Sequence, residues 1–564
     1  MTSKTFHNSR IVTLIRHFLL RLFNNDFMKY ENEQNERVVS MLVLLFISGG
    51  LIANYLMKIY IILGRQAFEV YPLWINLALF YTYSMAITGI LTLLNWDNLF
   101  LDRKDYINLS ILPLNPHIFF ISKFLSCLGY VGILSIAFNG FATLIMIMYV
   151  GSFLPVNILF FTIIIIFCGF LSNLFVFLSI AVIQGLFTLL FKNRFVQGLS
   201  DIIQVLLLLG CVSAIVNVSS VWDQLFLIKD KMASFHFLYP PEWFSGFFVR
   251  ILGDANTLFE VHFYLIIISI VLLAVIYTLC FHFITRRYLN TLEIPKPVTF
   301  YHHFSKKITK VFHTLFLPSP VQRAMFHFMW KTLKRSKVHL LKFIVYLSFP
   351  VSLCVVDIIH AYNRTGASYF YTRDWTFAGY SLLLFACMGF GMIYVCRIPV
   401  QIEANWIFKI TETSAKYQFI IGIKKALISF GAIPLFIILS LFYGHFWGIK
   451  EGILHVMFSF SIFLVIIEIF LSLTKSVPFA TIHDPSRSKL KTRWPLYLSI
   501  LTLLFWVLSD VSLLFIRKPF FYGLYFGVFF LFYISRFILK NKPFLKPEYL
   551  FIYEEEAEQA MNSF

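Results

Sequence analysis

Four ionisable residues inside long apolar stretches are candidates for a functional role: Asp357 and His360 near one end of 339–361, Glu468 well inside 453–474, and Asp510 inside 495–515. An ionised side chain at the centre of a bilayer costs at least about 2.5 kcal/mol, so such residues mark either a polar pathway or an interior contact between helices. Asp357 and His360 are spaced i and i+3. That puts them on one helical face, where a carboxylate and an imidazole can pair and exchange a proton. Their place near the outer boundary also fits plain solvation at the interface. Glu468 is better placed for burial, either in a helix-packing hydrogen bond to Asn or Ser on another span or in a contact with cargo.

Other chemistry is not written in the chain. There is no GxxxxGK[ST] phosphate loop, no HExxH and no GxSxG. His302-His303 lies in a basic segment with no carboxylate nearby, and Asp223, Asp230, Glu242 and Asp254 are scattered without metal-ligand spacing. The seven cysteines fall singly in apolar segments and read as small packed hydrophobes. No catalytic residue, metal site or cofactor site is therefore expected in this chain, and it cannot hydrolyse ATP by itself.

The elements that hold these residues are membrane spans. Only 13% of the residues are charged, against roughly 25% in an average soluble chain. A water-soluble fold of that composition would expose large apolar patches. Spans need about 20 apolar residues each, and that rule gives about twelve. Six are expected at 39–63, 72–94, 122–149, 157–190, 199–219 and 262–285, and six at 339–361, 376–397, 422–446, 453–474, 495–515 and 519–538. The expected fold is an all-α integral membrane protein in two six-helix halves, with interfacial amphipathic helices. Arginines at 16 and 21 interrupt the first apolar stretch, so no cleaved signal is read.

The net charge of +19 is spread over short segments between apolar runs rather than on one basic face, which argues against nucleic acid as a partner. Most of the 47 Lys and Arg fall on one side if the amino terminus is inside, so both termini are expected in the cytoplasm and the chain in the cell membrane. The expected organisation is an amphipathic segment at 1–38, a first half at 39–288, and a basic linker at 289–322. An interfacial helix and the second half follow at 323–540, and an acidic tail at 541–564. Ile11, Leu14, Ile15, Phe18, Leu19 and Leu22 share one helical face in the first amphipathic segment. Met325, Phe326, Met329, Trp330 and Leu333 do the same in the second. An even number of spans per half implies parallel repeats.

After the second span the chain reads Trp96-Asp97-Asn98-Leu99-Phe100-Leu101-Asp102-Arg103-Lys104-Asp105-Tyr106, then Leu112-Pro113, and returns to the membrane near Lys123. The matching stretch of the second half holds Glu403-Ala404-Asn405-Trp406-Ile407-Phe408, and the outer segment before the sixth span holds Tyr239-Pro240-Pro241-Glu242-Trp243-Phe244. These stretches resemble the cytoplasmic loops and the Pro-Pro-x-Trp-Phe turn of permease subunits of type-2-class ABC exporters, in their large duplicated form.

The resemblance implies a membrane permease that moves an amphipathic or hydrophobic cargo. It also implies a separate cytoplasmic ATPase subunit, in two copies, which carries ATP and Mg. On this reading Phe100, Asp102, Asp105, Tyr106, Glu403, Asn405, Trp406 and Phe408 form the coupling surface. Aromatic side chains would enter a groove on the partner while the carboxylates meet its basic residues. The same segments also fit plain interfacial helices with aromatic belts. Two other functions stay open: an ion-gradient-driven transporter, which would need Glu468, Asp510 or Asp357, and a membrane-embedded lipid or glycan transferase.

Overall fold

A computed structural model describes residues 2–23, 34–63, 73–100, 116–150, 157–190, 194–218, 239–252, 257–290, 316–371, 374–398, 416–473, 477–479, 507–515, 518 and 520–540. The chain divides into two compact units, Met1–Pro295 and Lys296–Phe564. Among the described residues every regular element is helical. Nine helices among the described residues are long and apolar enough to cross a membrane.

The first unit opens with α1 (Thr2–Phe23), followed by the long helices α2 (Gln34–Leu63), α3 (Leu73–Leu94), α4 (Pro116–Val150) and α5 (Ile158–Leu190). Then come α6 (Arg194–Val216), the short α7 (Pro240–Ile251) and the long α8 (Thr257–Asn290). The second unit opens with α9 (Pro320–Arg335) and continues through α10 (Lys337–Thr365) and α11 (Trp375–Cys396). A single long helix follows, built of α12 (Lys416–Leu427), a π turn at Ile428–Ala432 and α13 (Ile433–Trp447). It turns at Gly448 into α14 (Ile449–Leu473), and α15 (Phe520–Lys540) comes last.

Of the twelve expected spans, nine coincide with these long helices. Two others, at 199–219 and 519–538, form shorter apolar helices at Ser200–Val216 and Phe520–Ser535. The expected span at 495–515 falls mostly outside the described residues, of which 507–515 is helical.

Burial follows position in each bundle. Helix α3 buries 72% of its apolar window and α11 67%, whereas α8 buries 17%, so the first two are central and the last is peripheral. Apolar side chains on the periphery, such as Leu44, Ile268 and Val271, are exposed, as a hydrocarbon-facing surface requires. Close approach between helices comes from small residues. A Cβ at Gly49 would stand 1.9 Å from the Phe138 carbonyl oxygen, so α2 and α4 touch backbone to backbone.

Several polar side chains inside the first unit are hydrogen-bonded to other protein groups. Ser84 on α3 donates to Asn173 on α5 at 3.0 Å, and Asn139 on α4 donates to the Ser135 carbonyl at 2.9 Å. Each bond removes a polar group that hydrocarbon cannot satisfy.

The Pro-Pro-x-Trp-Phe stretch expected as a turn is the first turn of α7, with proline at its first positions, where no helical N–H is lost. The start of α7 sits deep. Tyr239 is hydrogen-bonded to Thr82, nine residues or about 14 Å into α3. Thr82 spends its own proton on the Ala78 carbonyl, so the phenol is the donor. Burial raises the Tyr239 hydroxyl well above the usual phenol range and keeps that proton in place.

Candidate functional site

The two amphipathic helices are docked, each on the third long helix of its own unit. Leu14, Phe18 and Leu22 are the buried face of α1. Ser126 on α4 donates to the Ile15 carbonyl at 3.0 Å, and Gly129 lets Leu19 come within 3.3 Å of where a Cβ would stand. In the second unit Gln322, Met325, Phe326, Met329 and Leu333 are the buried face of α9. A Cβ at Gly422 on α12 would stand 2.8 Å from the Gln322 carbonyl oxygen. Lys425 donates to Gln322 Oε1 at 3.2 Å. An amphipathic helix with a period of 3.6 must bury its stripe, and in both units the stripe is buried on a helix rather than left for lipid.

The segment leaving α3 is fastened by three other helices. Lys123 on α4 is buried, donates to the Asn98 carbonyl at 2.6 Å and lies 5.1 Å from the Phe18 ring centroid. Asn95 donates to the Tyr130 hydroxyl at 3.0 Å, and Trp96 Nε1 to Ser200 on α6 at 3.2 Å. Gln204 donates to the Leu93 carbonyl at 2.7 Å, and Tyr277 on α8 to the Leu99 carbonyl at 3.3 Å. A charged donor to a carbonyl is roughly twice as strong as a neutral one, so Lys123 is the main clamp.

Phe100 is buried here, its ring stacked on Tyr277 with centroids 5.1 Å apart. It faces the helices of its own unit. Asp102, Asp105 and Tyr106, which follow it, lie outside the described residues.

The segment leaving α11 is fastened in a comparable way. His339 on α10 is 3.0 Å from the Ile398 carbonyl through Nε2, and the Phe479 amide donates to the Cys396 carbonyl at 2.9 Å. Arg397 lies 5.8 Å from the Phe470 ring centroid. Glu403, Asn405, Trp406 and Phe408 lie outside the described residues.

The intramembrane candidates separate into different places. Glu468 is buried on α14 and paired with Lys424 on α12 at 2.8 Å, so its partner on another helix is a lysine rather than the Asn, Ser or cargo that the sequence leaves open. Asp357 is exposed on α10 and accepts a hydrogen bond from the Tyr380 hydroxyl. His360 is half-buried one turn further on, and Asp510 is exposed. The four do not form one cluster.

A polar group that the sequence did not single out sits deeper. Ser381 on α11 is 2.8 Å from Nε2 of the fully buried His455 and 2.7 Å from the Ser459 hydroxyl, both on α14. The rings of Tyr443 and Trp447 close over the imidazole at 4.9 Å and 5.1 Å. A histidine inside an apolar run was the available signal. Among the described residues no three His, Cys, Asp or Glu side chains converge as metal ligands.

These features define a membrane-embedded protein whose regular elements, among the described residues, are all helical. No family model, no curated protein and no solved structure matches the chain.

Proposed function

We propose that this chain is the membrane permease subunit of an ATP-driven exporter of the ABC class, with twelve spans in two six-helix halves and both termini in the cytoplasm of the cell. A separate cytoplasmic ATPase, acting as a dimer and carrying ATP and Mg, engages the segments 101–115 and 399–415. The cargo is amphipathic or hydrophobic.

The observation that carries this reading is the anchoring of both segments. Each leaves a central helix through pinned carbonyls, at Asn98 and Ile398. Each re-enters the unit at a third long helix that already holds an amphipathic helix by close backbone contact or side-chain hydrogen bonds. A partner that moves such a segment by a few ångströms moves two helices together, because packed interiors transmit displacement rather than absorb it. Phe100 serves as the inward anchor of this arrangement, and Asp102, Asp105, Tyr106, Glu403, Asn405, Trp406 and Phe408 form the surface offered to the partner.

The test is purification of the tagged chain in mild detergent, with mass spectrometry and an ATPase assay, for wild type and for the triple substitution Tyr106→Ala, Trp406→Ala and Phe408→Ala. A stoichiometric ATPase that is present with wild type and lost with the variant, at equal protein level, is the expected result. A chain that purifies without any associated ATP hydrolysis sinks the proposal.

A second reading, an ion-gradient-driven transporter, rests on Glu468, a buried carboxylate paired with Lys424 inside the second unit. It predicts proton-coupled uptake or efflux in vesicles without ATP, lost in Glu468→Gln at unchanged protein level.

A further inference from the structure

Lys331, Lys334 and Arg335 are all exposed at the carboxy-terminal end of α9. Their spacing of i, i+3 and i+4 puts them on one face, with neighbouring Cβ atoms about 5–6 Å apart. The opposite face is buried through Met325, Phe326, Met329 and Leu333, so the direction in which the three cations point is fixed. Among the described residues none of them has an ion-pair or hydrogen-bond partner. The sequence around them supplies none either. From Ile294 to Val356 there is no Asp or Glu, while Lys296, Lys306, Lys307, Lys310, Arg323, Lys331, Lys334, Arg335, Lys337 and Lys342 all fall in that stretch.

The level at which the cluster sits is set by covalent geometry. Helix α9 ends at Ser336 in an extended conformation, and α10 starts at the next residue, with an apolar stretch from Val338 that is long enough to cross a bilayer. The junction is rigid. Ser336 Oγ is 2.5 Å from His339 Nδ1, and the other nitrogen of that ring is 3.0 Å from the Ile398 carbonyl. Three exposed cations thus stand three to seven residues ahead of the apolar stretch that begins at Val338, a place that a spanning helix puts near the lipid phosphates.

We infer that this face of α9 is a binding site for an anionic glycerophospholipid, whose phosphodiester is received by Lys331, Lys334 and Arg335. A zwitterionic lipid brings its own ammonium next to the phosphate and leaves the cluster uncompensated, so the site discriminates by headgroup charge. The inference does not rest on the exporter reading, because lipid retention is measured without an ATPase.

The experiment is native mass spectrometry of the full chain after exchange into mixed phosphatidylglycerol and phosphatidylcholine. Four proteins are compared. They are wild type, the triple variant Lys331→Gln, Lys334→Gln, Arg335→Gln, a charge-keeping triple Lys331→Arg, Lys334→Arg, Arg335→Lys, and a charge-matched control at the exposed Lys58, Lys450 and Lys518, each to Gln. Wild type, control and charge-keeping variant are expected to retain phosphatidylglycerol in preference, with the preference reduced about tenfold in the neutral triple. Should the neutral triple not fold, the double variant Lys331→Gln, Arg335→Gln is read in its place: a reduced preference decides for the site and an unchanged preference decides against it. No preference in wild type, equal loss in the control, or displacement of the lipid by millimolar inorganic phosphate overturns the inference.

Discussion

Lys424 Nζ lies 2.8 Å from Glu468 Oε2, an ion pair that joins α12 to α14 inside the second unit, and the same ammonium stands 4.3 Å from the ring centroid of Tyr533 on α15. Three helices therefore meet at one charge. Of the two partners Glu468 is the more deeply buried, with its side chain 5% exposed against 22% for Lys424. Removing the lysine leaves the costlier orphan.

Lys424→Met is accordingly expected to destabilise the protein by about 3 kcal/mol, Glu468→Gln by less, and the double substitution by less than the sum of the two. Thermal unfolding of the four proteins in one detergent measures this. Strict additivity would show that the pair does not couple the helices.

Gly422 and Gly129 occupy related places but differ in what a methyl group meets. At Gly422 it meets the Gln322 backbone and the Met325 side chain, at 2.8 Å and 3.0 Å; at Gly129 it meets only the tip of Leu19, at 3.3 Å. Gly422→Ala is expected to cost about 1–3 kcal/mol and to loosen α9, while Gly129→Ala stays within about 0.5 kcal/mol of wild type. Unfolding midpoints and cysteine crosslinking between α9 and α12 read the difference.

Ser381 connects the buried His455 and Ser459. Ser381→Ala removes the hydroxyl that His455 Nε2 and Ser459 share, while Ser459 keeps its bond to the His455 carbonyl at 3.3 Å, and is expected to lower stability by about 1–3 kcal/mol. Ser381→Thr, which keeps the hydroxyl, is expected to lose less. Equal losses for the two variants would mean that shape, not hydrogen bonding, governs this position.

Lys123→Met removes the clamp on the Asn98 carbonyl. Trypsin is expected to cut at Arg103 and Lys104 several-fold faster in this variant than in wild type at equal global stability. Unchanged cleavage would mean that Asn95, Trp96 and Tyr277 hold the segment without the lysine.

What could be read from the sequence follows from what leaves a periodic trace. Apolar runs of membrane length announced nine long helices, and helical spacing announced the buried faces of α1 and α9, because both are properties of one segment at a time. Pairings between segments leave no such trace. Glu468 was recognisable as an isolated carboxylate, but Lys424, 44 positions away, reads as one more cation at a span edge. Phe100 shows the same limit from the other side. Mixed aromatic and charged composition marks a surface segment without saying which side chains turn inward, and Phe100 turns inward onto Tyr277. Ser381 and His455 were hidden because a single hydroxyl or imidazole in an apolar helix does not show what it meets, and only their convergence from two helices makes a group.

The π turn at Ile428–Ala432 interrupts the helix that carries Lys424 and Gly422 on one side and Tyr443 and Trp447 on the other. Proline at 434 removes a further backbone donor beside it. An uninterrupted α-helix of this length bends as one stiff rod. Local widening of the hydrogen-bond ladder concentrates compliance into about one turn. In mechanical terms the helix is two levers sharing a soft joint. The α12 lever is bolted to α9 and to Glu468, and the α13 lever to the packed rings around His455. A load applied to the first is stored as bending at the joint before it reaches the second, so the α9 end of this unit can be displaced while its aromatic end keeps its packing.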